Sequence, residues 1–335
     1  MGTSLALTAA MAVFYLFVVR LVDFNEKEPL WAVLLFFLGG ALSATALLLV
    51  TPGAFLELSP IAGGIATELA RYVAIGAGIG VLTLVGRARG FSEINGLLDG
   101  VVYGSAGGFG FATGLSFTRQ VLLPTPNLPL PTSALSGYGE LFLVGLADGV
   151  FGAMVGIGFA AALEARTMIN RVLGGLGGLL AAVAAHVGYD FIARANPFGE
   201  AAVLRKWVAL LLPVLAVIMV IVFALRHEKG AIAQELTAEE ETGAVSADEL
   251  SALQSFLARE REYFGRLLRF DLSGWSALRS LHNRQVQLAL AKRKASLETD
   301  PGERTSAAQE VLALRKSVLE LKQKLGRAPV AEGRS

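Results

Sequence analysis

The sequence predicts an all-α, polytopic transmembrane helix bundle of about seven spans, followed by a C-terminal soluble helical tail. Three observations predict it. Of the 335 residues, 54% are hydrophobic. Only 17% are charged, against about 25% in ordinary soluble domains. The apolar residues also gather in long runs that stop near residue 226, after which charged residues dominate.

A spanning helix needs about 20 largely apolar residues, each rising about 1.5 Å through roughly 30 Å of hydrocarbon. Windows at 3–22, 30–51, 61–86, 96–117, 140–164, 170–192 and 206–226 meet that need. The first has no Lys or Arg before Arg20, unlike the basic start of a secretory signal, so it reads as a retained span. Polar or turn-forming residues separate the windows: Asp23 to Pro29, Thr51-Pro52-Gly53 through Ser59-Pro60, and Arg87-Ala88-Arg89-Gly90. The proline-rich stretch Pro124 to Pro131, then Arg166 to Arg171 and Arg194 to Lys206, supply the others. Glycine, 38 residues in all, concentrates in the spans, notably Gly104, Gly107, Gly108, Gly110 and Gly114, then Gly145, Gly149, Gly152, Gly156 and Gly158. Small residues let membrane helices approach closely, so the fourth, fifth and sixth windows are expected in the bundle interior. Lys and Arg in the short loops place the amino terminus outside and the tail in the cytoplasm. The reading gives a membrane domain at 1–228 and a tail at 229–335.

The tail begins with an acidic stretch, Glu235 to Glu241, which reads as a linker. Helices are expected at 247–270, 273–297 and 301–325. Asp300, Pro301 and Glu303 suit a cap, a first helical position and a capping-box acid. Leu312, Leu314, Val318, Leu321 and Leu325 recur at helical spacing. Either 247–325 packs on itself as a small bundle, or it serves self-association or partner binding.

Several function classes are excluded or disfavoured. There is no cysteine, so no disulfide, thiol nucleophile or thiolate metal site exists. A formal net charge of +1 gives no footprint for nucleic acid. No phosphate-binding P-loop and no His-Glu-x-x-His zinc helix is present. What remains is a set of ionisable residues inside the spans, each costing about 2.5–3.5 kcal/mol near the bilayer centre. They are Glu68 and Arg71, Asp99, Asp148, and His186 with Asp190. Glu68 and Arg71 are three apart and share a helix face, as do His186 and Asp190, four apart. Asp148 has no partner on its own helix. The set is either a polar network that fixes helix register or a catalytic or ion-binding centre, in which Glu acts on water and His holds a metal or an oxyanion.

The segments carrying these residues are similar to those of a known family. Asn25-Glu26-Lys27-Glu28-Pro29 with Leu34-Leu35-Phe36-Phe37-Leu38-Gly39, then Asp99-Gly100-Val101-Val102-Tyr103-Gly104 with Gly110-Phe111-Ala112, then Ala185-His186-Val187-Gly188-Tyr189-Asp190-Phe191, occur in order. Together the chain over about 20–195 resembles the PrsW family of intramembrane proteases. The resemblance implies cleavage of membrane-protein substrates in or near the bilayer, such as a single-pass anti-sigma factor, in a bacterial inner membrane. It implies Glu68 acting on water, His186 and Asp148 holding a divalent, zinc-like metal or the developing oxyanion, and Asp190 orienting His186. The chain departs from the family pattern at Thr67 and Leu115-Ser116, where the family carries Glu and Glu-Asn, at Arg71, where it carries Lys, and near Asp148, where it carries His. Those departures keep a catalytically silent relative, signalling through its tail, as an alternative. A small proton-coupled transporter using the same acids is another.

Overall fold

The computed structural model describes residues 2–22, 28–51, 59–89, 94, 96–121, 134–165, 167–194, 200–240, 242–297 and 301–327. The loop residues 23–27 and 124–131 and the expected cap Asp300 lie outside the described residues, as do the side chains of Arg87, Arg89 and Glu303. The described residues are helical throughout, in two compact units. One unit holds α1 (Gly2–Val22), α2 (Leu30–Val50), α3 (Pro60–Arg89), α4 (Leu97–Val121), α5 (Ala134–Glu164), α6 (Met168–Arg194) and the first part of α7 (Glu200–Thr237). The second begins at Phe223 and holds the end of α7 with α8 (Ala247–Leu253), α9 (Phe256–Leu268), α10 (Leu272–Leu297) and α11 (Pro301–Lys324).

By length and composition, five helices are long and apolar enough to cross a membrane: Leu30–Val50, Pro60–Gly86, Phe142–Glu164, Met168–Ala193 and Leu204–Thr237. The chain is thus an integral membrane protein. The first and fourth expected spans form helices but fall outside that set. The apolar stretch of α1 among described residues, Thr8–Arg20, is shorter. The α4 helix is diluted by glycine, serine and threonine because it lies at the centre, packed on α1, α2, α3 and α5. A helix enclosed by protein has no need of large apolar side chains on every face.

Backbone contact explains the glycines of α4 and α5. A Cβ on Gly152 would stand 2.3 Å from the Gly104 carbonyl oxygen, and one on Gly104 would stand 2.3 Å from that of Gly152. No methyl group fits there without the helices moving apart. The sixth span is less interior than its glycines suggest. Gly174 and Gly178 do meet α5 around Gly158, yet Leu173, Leu176 and Leu180 on α6 are exposed, as a lipid-facing surface would be.

The second unit has its own apolar core, including Ile232, Leu236, Val245, Leu253, Leu281, Val286, Val311, Leu314 and Val318. The expected acidic linker is instead structured. The α7 helix runs on to Thr237, and the Glu239 carboxylate is buried, taking two hydrogen bonds from Arg315 at 2.8 Å each and an ion pair from Lys292 at 2.8 Å. The helix expected at 247–270 is two helices. Ser246 and Glu249 form a capping box on α8, and Ser255 starts α9 by accepting from the Ala258 amide at 3.4 Å. On α11 the buried stripe is Val311, Leu314 and Val318, while Leu312 is exposed.

Candidate active site

Four helix-borne ionisable side chains meet in the first unit. Arg71 and Glu68 stand one turn apart on α3, and the guanidinium donates to Glu68 Oε1. Its other arm donates to Asp148 Oδ1 on α5 at 2.5 Å. From α6, His186 Nδ1 approaches the same Glu68 Oε1 at 2.6 Å. A carboxylate oxygen only accepts, so Nδ1 carries the proton, and in the neutral ring Nε2 keeps the lone pair. Asp190, a turn further along α6, brings Oδ1 to 4.0 Å from Nε2.

Aromatic rings hold the cluster in place. The His186 ring stacks on Phe151 of α5, centroids 4.9 Å apart and planes 16° apart. Arg71 lies over the Phe111 ring of α4, 4.7 Å from its centroid, which supplies the guanidinium with a cation–π contact in place of water. Accessibility is graded. Glu68 and Arg71 are wholly buried and Asp148 nearly so. The His186 side chain is 14% exposed and that of Asp190 21%, so the cluster is most open on its α6 side.

The cluster lies nearer the start of α3 and the end of α6. Consecutive helices alternate in direction, so the start of α3, the start of α5 and the end of α6 share an end. At about 1.5 Å per residue, Glu68 stands about 12 Å from Pro60 and His186 about 12 Å from Arg194, while Asp148 lies near the middle of α5, about 21 Å from Ala134. Three separate helices thus bring polar groups to a common depth.

The structure therefore brings Glu68, Asp148 and His186 together, with Asp190 at the edge. It adds what sequence spacing did not reveal. Asp148 finds its partner in Arg71, on a helix remote in sequence. The sequence offers Phe111 only within a quoted segment and does not single out Phe151. A second buried contact joins the Tyr103 hydroxyl to the Glu28 carboxylate, with Arg20 donating to the Glu28 carbonyl. Its only sequence signal was that both residues fall in the quoted segments. Thr67 and Leu115 offer no carboxylate, so Glu68 and Asp148 are the acids of this cluster.

The fold and site thus define a membrane protein with a buried acid–imidazole–guanidinium cluster inside its helix bundle. The sequence profile of the PrsW family intramembrane metalloproteases matches residues 28–225. The chain belongs to that family. No curated protein and no solved structure gives a significant match.

The family description implies a metal. Among the described residues, no three His, Asp or Glu side chains are grouped as metal ligands. The carboxylates that would serve are engaged by a guanidinium, and Glu68 Oε1 is shared between Arg71 and His186. A dication on Glu68 Oε1 or Asp148 Oδ1 would face the fixed Arg71 cation across the same oxygen. Glu68 Oε2 and Asp148 Oδ2, however, are buried with no hydrogen-bond partner, so these oxygens and His186 are the donors that would hold a divalent ion, which would polarise a water or carbonyl there.

Proposed function

We propose that this chain is an intramembrane peptidase in which His186 and Glu68 form the base that activates water. The observation that carries this reading is the 2.6 Å contact between His186 Nδ1 and Glu68 Oε1. It joins two helices and leaves Nε2 on the more open side. Glu68 holds the ring and stabilises the imidazolium that forms, a role its distance favours over the more remote Asp190. A water about 2.8 Å from both Nε2 and Asp190 Oδ1 is compatible with their 4.0 Å separation. In the reaction, Nε2 takes a proton from that water and the hydroxide oxygen attacks the scissile carbonyl carbon. The imidazolium returns the proton to the amide nitrogen as the carbon–nitrogen bond breaks. Arg71 keeps the buried Glu68 and Asp148 charges tolerable.

By resemblance, the substrate is a single-pass membrane protein such as an anti-sigma factor, and the membrane is the bacterial plasma membrane with the tail cytoplasmic. With the amino terminus outside, the shared end of α3, α5 and α6 is the outer one. Cleavage is then expected in the outer part of the bilayer.

The test is proteolysis in reconstituted vesicles carrying candidate single-pass substrates. Loss of a general base costs about 10²–10⁴-fold, so Glu68→Gln and His186→Asn should both cut at that reduced rate. Unchanged cleavage in either variant sinks the assignment. One observation favours a second reading, a silent relative that binds membrane segments: Arg71 already ties up one oxygen of each acid. That reading expects no cleavage by the wild type, with cellular function surviving Glu68→Gln and lost when residues 230–335 are removed.

A further inference from the structure

The second unit has one helix whose amphipathicity is turned inside out. Among its described side chains, the inward side of α9 is polar: Arg259 is buried, and the Tyr263 hydroxyl pairs with His282 Nδ1 of α10 at 2.9 Å. Its outward side is apolar: Phe264, Leu267 and Leu268 are all exposed. Leu272, at the start of α10, continues that surface. An ordinary soluble helix does the reverse.

The corner after α9 sharpens the point. Phe270 donates its amide to the Leu267 carbonyl at 3.0 Å, and Asp271 to the Arg266 carbonyl at 3.1 Å. That pattern closes a helix with a left-handed residue, most often glycine. Here the residue is Phe270, at φ 55, with 91% of its surface exposed. The backbone conformation and the hydration of the ring are both unfavourable. The corner is well built nonetheless. Asp271 caps α10 by accepting from the Gly274 amide at 2.8 Å and holds Arg266 at 2.9 Å. Arg261 and Arg269 flank the apolar surface, exposed and in no ion pair with a described residue.

We propose that the α9–α10 corner docks on an anionic lipid surface, with Phe264, Leu268, Phe270 and Leu272 entering the interface and Arg261 and Arg269 meeting lipid phosphates. Two features select this occupant. Aromatic and aliphatic side chains rimmed by arginine match the headgroup boundary of an anionic bilayer. The chain itself also keeps a bilayer within reach, since α7 carries a membrane-crossing apolar stretch into this unit. The proposal is independent of whether the membrane unit cleaves peptides.

The chain has no cysteine, so Ser276→Cys, one turn from Leu272 on an exposed position of α10, gives a single labelling site. The full-length protein carrying a bimane there is reconstituted into phosphatidylcholine vesicles with or without phosphatidylglycerol. Quenching by nitroxide-labelled lipid is compared with quenching by aqueous iodide. The expected result is lipid quenching and iodide protection in the anionic vesicles. Both should weaken in neutral vesicles and in 1 M salt, where the Debye length falls from about 10 Å at 0.1 M to about 3 Å. Arg261→Glu and Arg269→Glu should each lower the docked-to-undocked ratio roughly fivefold or more. Phe270→Gly separates docking from folding, because glycine suits the left-handed corner. It should keep or raise thermal stability while reducing lipid quenching. Iodide access equal to that in detergent overturns the proposal. So does a dye shielded from both quenchers, which would mean that the corner is covered by protein, or lipid quenching unchanged by Phe270→Gly.

Discussion

Arg71 is the residue on which the membrane cluster turns, and its removal gives the sharpest prediction. Arg71→Leu leaves the Glu68 and Asp148 carboxylates buried with no cation between them. Breaking a buried pair by removing one partner costs about 3–5 kcal/mol. In a unit of about 200 residues each kcal/mol moves the melting temperature by about 2–4 °C. The variant should therefore melt about 6–20 °C lower in detergent. Arg71→Lys keeps the charge but cannot bridge two carboxylates as a planar fork does. It should lose about the value of one charged hydrogen bond, 1.5–3 kcal/mol. The decisive variant is Glu68→Gln with Arg71→Leu and Asp148→Asn, which removes every formal charge that the single change unbalances. Its melting temperature should recover most of the loss, since neutralising a whole buried ionic group is often near-neutral. Scanning fluorimetry on purified protein measures all of these, and a double-mutant cycle between positions 71 and 148 gives their coupling. A coupling near zero, or an Arg71→Leu variant within about 0.5 kcal/mol of wild type, would refute the arrangement.

Peptide cleavage, where observed, should survive a strong chelator, because the proposed base is the His186–Glu68 pair, which activates water without a metal. Loss on chelation with recovery on adding zinc would show instead that the working enzyme needs a metal. Gly152→Ala should destabilise the membrane unit by about 1–3 kcal/mol, because its methyl would meet the Gly104 backbone oxygen 2.3 Å away. Gly177→Ala, with nothing within 4 Å of its Cβ, should be neutral or slightly stabilising. Acid should loosen the tail in two steps, read by hydrogen exchange on the full-length protein. Burial pushes the His282 imidazole down from 6.5 to about 4, so the fold favours its neutral form. That stability, about 3 kcal/mol, is present above pH 6.5 and lost as pH falls to about 4. Burial alone would raise the Glu239 carboxyl, but hydrogen bonds from Arg315, Lys292 and Thr242 outweigh it and hold it at about 2. Its share is present above pH 4.5 and lost as pH falls toward 2. His282→Gln should abolish the first step and leave the second.

The spans were legible because lipid demands one property, sustained apolarity, that composition records directly. That signal is weaker for α4, whose window at 96–117 still reads as a span, since a helix shielded by its neighbours is under no such demand and its glycines dilute the run. Pairs on one helix were also legible, Glu68 with Arg71 and His186 with Asp190, because helical spacing fixes who shares a face. Pairs between helices were not. Nothing local in the Asp148 segment specifies Arg71, nor does anything in the His186 segment specify Glu68 rather than Asp190. The tail misled in a different way. Seven consecutive residues with four glutamates, Glu235 to Glu241, look like a solvated linker, but Glu239 is neutralised by Arg315 and Lys292 from two other helices. Periodicity likewise admitted Leu312, while the buried stripe ran through Val311 instead.

The glycines and the charges belong to one design problem. A guanidinium in hydrocarbon is tolerable only if its partners reach it without water, and side chains as short as aspartate reach only when backbones are close. Asp148 sits among the glycines of α5, and its carbonyl lies 2.0 Å from where a Cβ on Gly108 would be. Any residue but glycine at 108 would push α5 away from α4, and Asp148 with it, from Arg71. A shift of even 1 Å on a 2.5 Å hydrogen bond would break it and expose both charges to an apolar environment. Gly108→Ala should therefore resemble Asp148→Asn more than it resembles a simple packing defect. The two changes should be strongly non-additive when combined, because each removes the same contact. Additive losses would separate the glycine packing from the ionic cluster and leave the cluster without the scaffold argued for it.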